Sequence, residues 1–301
     1  MSLIPFHDRD GAIWFDGRLI PWRDARLHVL SHALHYGSSV FEGERAYNGH
    51  IFKLTEHTER LYLSGEILGF DMPYGVPEID AACRGLLTES GLKDAYVRPV
   101  AWRGSEMMGV SAQHNTIHMA IAVWEWPSYF TPEARLKGIR LDWAKYRRPD
   151  PATAPVHAKA AGLYMICTLS KHAAEARGYA DALMLDWRGQ LAETTGANIF
   201  LVQDGVIHTP TSDCFLDGIT RRTVIELAQA RGYEVVERAL LPEELARTQE
   251  MFITGTAAEV TPIAEIAGEH SFTVGEITRN LMEDYDALVR TPPAEVAQAA
   301  E

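Results

Sequence analysis

Cysteine is scarce in this chain of 301 residues: there are three, Cys83, Cys167 and Cys214. They lie too far apart to form a disulfide framework or a Cys-x-x-Cys metal or redox pair. Basic charge is also in deficit. The net charge of −13 argues against a nucleic-acid backbone or an anionic membrane as the main partner. No apolar run approaches the ~18 residues that a membrane span needs. The opening Met-Ser-Leu-Ile-Pro-Phe-His-Asp-Arg-Asp lacks a basic region followed by an apolar core, so no signal peptide is expected and a cytoplasmic location is. What remains, 47% hydrophobic and 23% charged, suits a globular chain of about two domains.

The pattern along the chain alternates strands and helices. Two short strands flank Asp16-Gly17, and a second hairpin runs from Val40 to Tyr47, turns at Asn48-Gly49 and returns through Ile51-Phe52. Thr55 reads as the N-cap of a helix that ends near Leu68, before Gly69. Residues 78–90 are helical in period, and Tyr96–Trp102 and Thr116–Trp124 read as strands. The proline-bearing stretch Pro127–Pro132 marks a break. The expected division is a small α/β domain over 1–127, a linker over 128–137 and a larger domain over 138–301. In the latter, a strand near Ile139–Trp143, a helix from Leu163 to Arg177, strands at Ala182–Asp186 and Asn198–Val202, a helix from Ile219 to Arg231 and a strand at Met251–Thr254 are expected. The tail from Thr291, rich in Ala, Pro and Glu, reads as disordered.

Lysine is scarce too, with six among the 28 basic residues, and Lys159 stands apart from the other five. It lies in Ala-Lys-Ala-Ala-Gly-Leu-Tyr with no carboxylate in the next ten positions. A lysine there either snorkels to water or sits desolvated, which lowers its amine pKa and makes it a nucleophile. A desolvated amine can form a Schiff base with an aldehyde cofactor such as pyridoxal 5′-phosphate. Taken alone, a lysine at a loop–helix junction is the plainer account. The residues downstream supply what such a cofactor requires. The phenol of Tyr164 could meet a ring oxygen. Glu193 offers a carboxylate for a pyridine nitrogen, or is a turn residue on the surface. Asp217-Gly-Ile-Thr220 opens a helix whose N–H groups could receive a phosphate, or simply caps it. Thr254-Gly-Thr-Ala-Ala-Glu259 is a small-residue turn suited to an anion nest, or an ordinary turn. Arg60 could reach a phosphate or pair with Glu56 one helical turn away.

Together these residues resemble the class IV aminotransferases, and the likeness covers nearly the whole chain. Its main carrier is Glu193-x-Thr-x-x-Asn198-Ile-Phe, then Ile207-x-Thr209, then Leu216-x-Gly-Ile-Thr-Arg221. The resemblance implies the two-domain α/β (α+β) architecture of fold type IV, similar to D-amino acid aminotransferase, with the cofactor between the domains. It implies Lys159 as the Schiff-base and catalytic lysine and Glu193 as partner of the pyridine nitrogen. Tyr164 would meet the ring oxygen, and Arg60, Ile219, Thr220 and Thr256 would hold the phosphate.

Ser31-His-Ala-Leu-His-Tyr-Gly37, Val40-Phe-Glu-Gly-Glu-Arg45, Ala95-Tyr-Val-Arg-Pro99 and Met107-Met-Gly-Val110 narrow the likeness to the branched-chain amino acid aminotransferases. The implied reaction moves an amino group between leucine, isoleucine or valine and 2-oxoglutarate. The implied substrate residues are Tyr36, Phe41, Gly43, Tyr96, Arg98, Met108, Val110, Trp126 and Tyr129. Arg98 and Tyr96 would meet the distal carboxylate of glutamate, and the amides of Ala257 and Ala258 the α-carboxylate. Tyr36 and the Met108–Val110 loop would come from a second subunit, so at least a homodimer is implied. Rivals on the same fold are a D-amino acid or (R)-amine transaminase and aminodeoxychorismate lyase. Glu44 departs from the pattern, standing where many members carry an apolar residue. Strand alternation would put it on the face away from Phe41, Gly43 and Arg45, outside the pocket. His28, His32 and His35 have a spacing reminiscent of metal ligands. With no acid or cysteine in the set they read as packing and hydrogen-bonding residues, and no metal is expected.

Overall fold

The two Asx-Gly pairs make the turns that the sequence predicts. Asp16 and Gly17, and again Asn48 and Gly49, all have positive φ, the geometry whose twist suits a two-residue hairpin. The computed structural model describes residues 4–126 and 132–292. The chain divides into one unit of Met1–Pro127 with Ala158–Gly162, and another of Ser128–His157 with Leu163–Glu301.

In the first unit the strands are β1 (Ala12–Phe15), β2 (Arg18–Pro21), β3 (Ser39–Phe41), β4 (Glu44–Tyr47), β5 (His50–Ile51), β6 (Ala95–Arg103) and β7 (Ile117–Glu125). They form one antiparallel sheet in the order β2-β1-β7-β6-β4-β5, with β3 also on β6. Its spine is β6–β7, paired without a break from Ala95↔Glu125 to Arg103↔Ile117. The helices are α1 (His32–Tyr36), α2 (Leu54–Ile67) and α3 (Val76–Ser90). On β7, Ile117, Met119, Ile121 and Val123 are buried while the residues between them are less so, the alternation of a sheet with one face covered. Helix α3 packs against β1, β6 and β7. The other face is hollowed into an apolar pocket of about 480 Å³, lined in part by Phe15, Arg98, Val100, Trp102, Ala120 and Ala122.

Two expectations fail here for local reasons. Thr55 is not an N-cap: the cap is Lys53, two residues earlier and in the left-handed region, and Thr55 Oγ1 donates to Asp80 at 2.6 Å. Nor does Val40–Tyr47 run as one strand. It is interrupted at Glu42-Gly43, opposite Pro99, which has no N–H to contribute to a ladder. The alternation argument for Glu44 therefore does not apply across the break.

In the second unit the strands are β8 (Ile139–Trp143), β9 (Asp181–Leu185), β10 (Leu191–Thr194), β11 (Asn198–Gln203), β12 (Val206–Thr209), β13 (Val235–Glu237), β14 (Glu250–Gly255), β15 (Glu259–Ile266) and β16 (His270–Ser271). Six of them close on themselves in the order β10-β9-β8-β15-β14-β11, with β11 pairing back to β10 through Glu193↔Asn198. Leu141, Leu183, Ile199, Leu201, Met251, Ile253 and Ile263 share one core cluster. Phe200 and Phe252, paired across β11 and β14, stack at 4.9 Å. Helices α4 (Pro132–Lys137), α5 (Met165–Ala176), α6 (Ile219–Ala230) and α7 (Glu276–Arg290) complete the unit. The amphipathic α7, absent from the elements expected above, packs on β14 and β15.

Candidate active site

Lys159 belongs with the first unit. Its carbonyl accepts the Phe41 N–H at 3.1 Å, its own N–H donates to Ser64 Oγ at 3.0 Å, and Val40 bridges to Ala160. The side chain is half-buried, with Nζ 5.1 Å from the centre of the Phe41 ring.

Glu42, at the strand break next to Phe41, is wholly buried. One carboxylate oxygen accepts Arg60 Nε at 2.6 Å, and the other accepts Arg60 Nη2 at 2.8 Å and His57 Nδ1 at 2.7 Å. Burial pushes the Glu42 carboxyl up, but Arg60 and His57 outweigh it and hold the group well below the usual carboxylate range. Burial lowers the pKa of His57 more than Glu42 raises it, so the imidazole is neutral and Nδ1–H donates. Arg60 is thus held in a fork by Glu42, rather than by the Glu56 that helical spacing suggests. Neither Glu42 nor His57 was expected from sequence. The one clue was a carboxylate set between two pocket positions, Phe41 and Gly43.

Phe41, Gly43, Tyr96, Arg98 and Trp126, which the family likeness groups, lie close together. Tyr96 and Arg98, two apart on β6, share a face. Arg98 Nη2 lies 3.2 Å from Tyr96 Oη, and the guanidinium lies 4.8 Å from the Phe41 ring centre. Tyr96 packs at 5.0 Å on Trp124 and 4.7 Å on Trp126. Gly43 must be glycine here, because a Cβ would fall 1.9 Å from Tyr96 Oη. No carboxylate among the described residues pairs with Arg98, and its Nε is buried without a hydrogen bond. Tyr36, Met108 and Val110 are exposed, at 47%, 46% and 86%. Tyr129 lies outside the described residues.

In the second unit Glu193 is buried on β10, a strand of its own where the sequence suggested a turn before one. Arg148 Nη2 sits 2.6 Å from Glu193 Oε1. Burial works against the charge on Arg148, but the Glu193 carboxylate prevails and raises its pKa. Arg148 Nη1 also lies 3.1 Å from Cys167 Sγ. Asn198 Nδ2 approaches Glu193 Oε2 at 3.4 Å and donates to the Leu216 carbonyl at 3.1 Å. That amide ties the carboxylate to the segment opening α6. Gly218, not Asp217, is the N-cap of α6, and a Cβ there would meet Asn198 Oδ1 at 2.2 Å. Asp217 instead accepts from Arg221 at 2.8 Å, and the buried Arg221 also donates to the Pro210 carbonyl at 3.0 Å and to Glu237 at 2.6 Å. Ile219 and Thr220 are buried in the first turn, where helix N–H groups have no partner within the helix. Thr256, Ala257 and Ala258 form the turn between β14 and β15, with the Ala258 carbonyl accepting Thr261 Oγ1 at 2.6 Å. Tyr164 is half-buried at the start of α5, three residues before Cys167. Arg148 could not have been singled out from sequence: an Arg-Arg pair in a proline-rich loop reads as surface.

The three histidines bond elsewhere. His28 Nδ1 accepts the Leu30 N–H, His32 bonds Ser38 and Gly109, and His35 Nε2 bonds the Val29 carbonyl. Among the described residues one acid and cysteine group has its ligand atoms close together, Asp186, Asp213 and Cys214. Arg188 already lies at 2.7 Å from Asp186 and 2.8 Å from Asp213, so a cation occupies those carboxylates.

Residues 39–266 match the amino-transferase class IV family. The chain is 42% identical over 288 residues to the branched-chain-amino-acid aminotransferase of Pseudomonas aeruginosa, covering 94% of each. Among solved structures, the branched-chain amino acid aminotransferase of Escherichia coli superposes with a TM-score of 0.91 at 36% identity, over 95% of this chain and 97% of that one. The branched-chain aminotransferase of Thermoproteus uzoniensis with norvaline gives 0.88 at 38%, over 93% and 94%. The chain is a member of the class IV aminotransferases.

Proposed function

We propose that the protein is a branched-chain amino acid aminotransferase, moving an amino group between L-leucine, L-isoleucine or L-valine and 2-oxoglutarate. Its relatives carry that name, and one observation from the fold carries the reading furthest. Arg98, a cation with no acid partner among the described residues, lies against the apolar faces of Phe41 and Tyr96. Such a wall can pack a branched aliphatic chain and also pair the distal carboxylate of glutamate.

The cofactor is pyridoxal 5′-phosphate. An aminotransferase from Brucella abortus, 29% identical with a TM-score of 0.83, is bound to it. The donor set here fits that group: a lysine amine, a buried carboxylate with an arginine behind it, a ring phenol and the first amides of a helix. When bound, pyridoxal 5′-phosphate supplies an aldehyde carbon for the amino group and a cationic ring that takes up the electron pair left as Cα loses its proton.

The protein's own residues do the rest. The Lys159 amine would take the proton from Cα and deliver it to the carbon that receives the amino group. Glu193 holds a proton at the ring nitrogen, and Tyr164 orients the ring oxygen. Arg60, Ile219, Thr220 and Thr256 bind the phosphate, and the amides of Ala257 and Ala258 bind the α-carboxylate. Tyr36, Met108 and Val110 serve a second copy, so the working unit is at least a homodimer. No helix among the described residues is long and apolar enough to cross a membrane, and the substrates are small amino and 2-oxo acids.

A panel of amino donors against 2-oxoglutarate tests this reading. The expected outcome is turnover of L-leucine, L-isoleucine and L-valine well above that of D-amino acids and (R)-amines. Preference for D-amino acids or (R)-amines, or release of pyruvate from aminodeoxychorismate without an amino acceptor, would overturn it.

A further inference from the structure

Val110 and Met108 are exposed apolar side chains, and they stand on a loop pinned at several points. Asn115 Nδ2 donates to the carbonyls of Gly104 at 3.0 Å and Met107 at 3.1 Å, and Arg103 Nη1 donates to the Ala112 carbonyl at 3.3 Å. Further ties lead to the segment carrying Tyr36. The His32 N–H donates to the Gly104 carbonyl at 2.8 Å, and the Arg103 N–H to the Ser38 carbonyl at 3.1 Å. His32 supplies the last tie with its ring. Nε2 lies 2.8 Å from the Gly109 carbonyl, at the tip between Met108 and Val110, and Nδ1 lies 2.6 Å from Ser38 Oγ. The same ring stacks on Tyr36 at 4.6 Å and 26°.

The hydrogen bonds fix the tautomer. A carbonyl only accepts, so Nε2 carries a hydrogen, and in a neutral ring Nδ1 accepts from the Ser38 hydroxyl. Both ring nitrogens are then satisfied in the neutral form. The imidazole is buried, so losing either bond leaves a polar group stranded. One side chain therefore links Tyr36 directly to the tip that carries Met108 and Val110.

We propose that His32 is a positioning residue that sets donor selectivity, by fixing Tyr36 and the Met107–Val110 tip as one rigid wall of the side-chain pocket in the copy they face. The inference rests on the pocket reading given above. It gives the Ser31–Gly37 motif a task that the cofactor chemistry leaves unassigned. A wall that shifts by about an ångström loses contact with the substrate side chain without touching the reacting atoms, so the effect falls on KM rather than kcat.

The test uses the holoenzyme. His32→Phe keeps the stacking surface and removes both ring hydrogen bonds. Ser38→Ala removes one of them. His32→Gln restores a donor toward Gly109. Hydrogen exchange at residues 104–112 and steady-state kinetics with L-leucine and L-glutamate are read side by side, and Val110→Trp tests whether the tip faces substrate at all. The expected result for His32→Phe is exchange at the tip faster by about tenfold, KM for leucine raised by about tenfold, and kcat within about twofold. His32→Gln should recover most of the leucine KM, and Ser38→Ala should fall between. Unchanged exchange in His32→Phe, or faster exchange with unchanged KM, overturns the proposal. If Val110→Trp leaves KM for leucine unmoved, the pocket reading itself fails, which is a separate result from a His32 effect that is absent while Val110→Trp acts.

Discussion

The guanidinium of Arg148 meets the carboxylate of Glu193 at 2.6 Å, and both side chains are buried. A buried carboxylate alone favours its neutral form, and a cation in contact favours the charged one. On the reading proposed above, Glu193 holds a proton at the ring nitrogen of the cofactor, and Arg148 is the cation that supports it there. Glu193→Gln should keep the cofactor bound and lose about a hundredfold or more in kcat, because a neutral amide cannot stabilise the cationic ring. Arg148→Met should lose kcat in the same direction, although Arg148 is assigned no contact with the substrate. Cofactor content by absorbance, with kcat for leucine, checks both. Near-normal turnover in Glu193→Gln would make it a structural residue only.

Glu44 gives a prediction about stability. It is wholly buried, neither carboxylate oxygen has a hydrogen-bond partner, and burial pushes its pKa well above the usual value, with Glu42 and Asp80 adding to the effect. The folded protein thus keeps Glu44 protonated, while the unfolded chain ionises it above about pH 4.3. Between that pH and the raised folded value the native state holds one more proton than the unfolded. Stability therefore falls as pH rises, by about 1.4 kcal/mol per pH unit from this group. Glu44→Met removes that dependence. The variant should melt several degrees above the parent at pH 8, with the difference shrinking toward pH 5. A difference that grows toward low pH would show that Glu44 is ionised in the folded state.

The hairpins and the main helices were legible because each rests on local chemistry, whereas the Phe41–Gly43–Tyr96–Arg98 group came from the family likeness. Asx-Gly pairs dictate turns, period dictates helices, and alternate residues on one strand share a face. What was not legible depends on long-range partners. Glu42 reaches Arg60 across a strand break that Pro99 faces from the neighbouring strand, and Arg148 reaches Glu193 from a proline-rich loop. The alternation argument for Glu44 assumed one continuous strand, and it could not say that this position is sealed from water. Thr55 misled because its hydroxyl serves Asp80 instead of the helix end.

If Arg98 pairs the distal carboxylate of glutamate, as proposed above, it separates the two halves of the reaction. A branched side chain ends in methyl groups and gains nothing from a guanidinium, whereas glutamate brings a carboxylate that must be paired once it leaves water. Arg98 also lies against Phe41 and donates to Tyr96 at 3.2 Å, so its removal loosens the wall slightly for every substrate. That common loss cancels when two donors are compared. Breaking a charge-assisted contact whose partner stays buried costs about 2–5 kcal/mol, so the glutamate arm should fall by more than tenfold relative to the leucine arm. Single-turnover half-reactions of Arg98→Met with L-leucine and with L-glutamate, followed through the cofactor absorbance, give the two values directly. The expected outcome is a large fall in rate over Kd for glutamate and a small one for leucine. Equal falls would mean that Arg98 braces Phe41 and Tyr96 only, and that the distal carboxylate of glutamate is paired by another group.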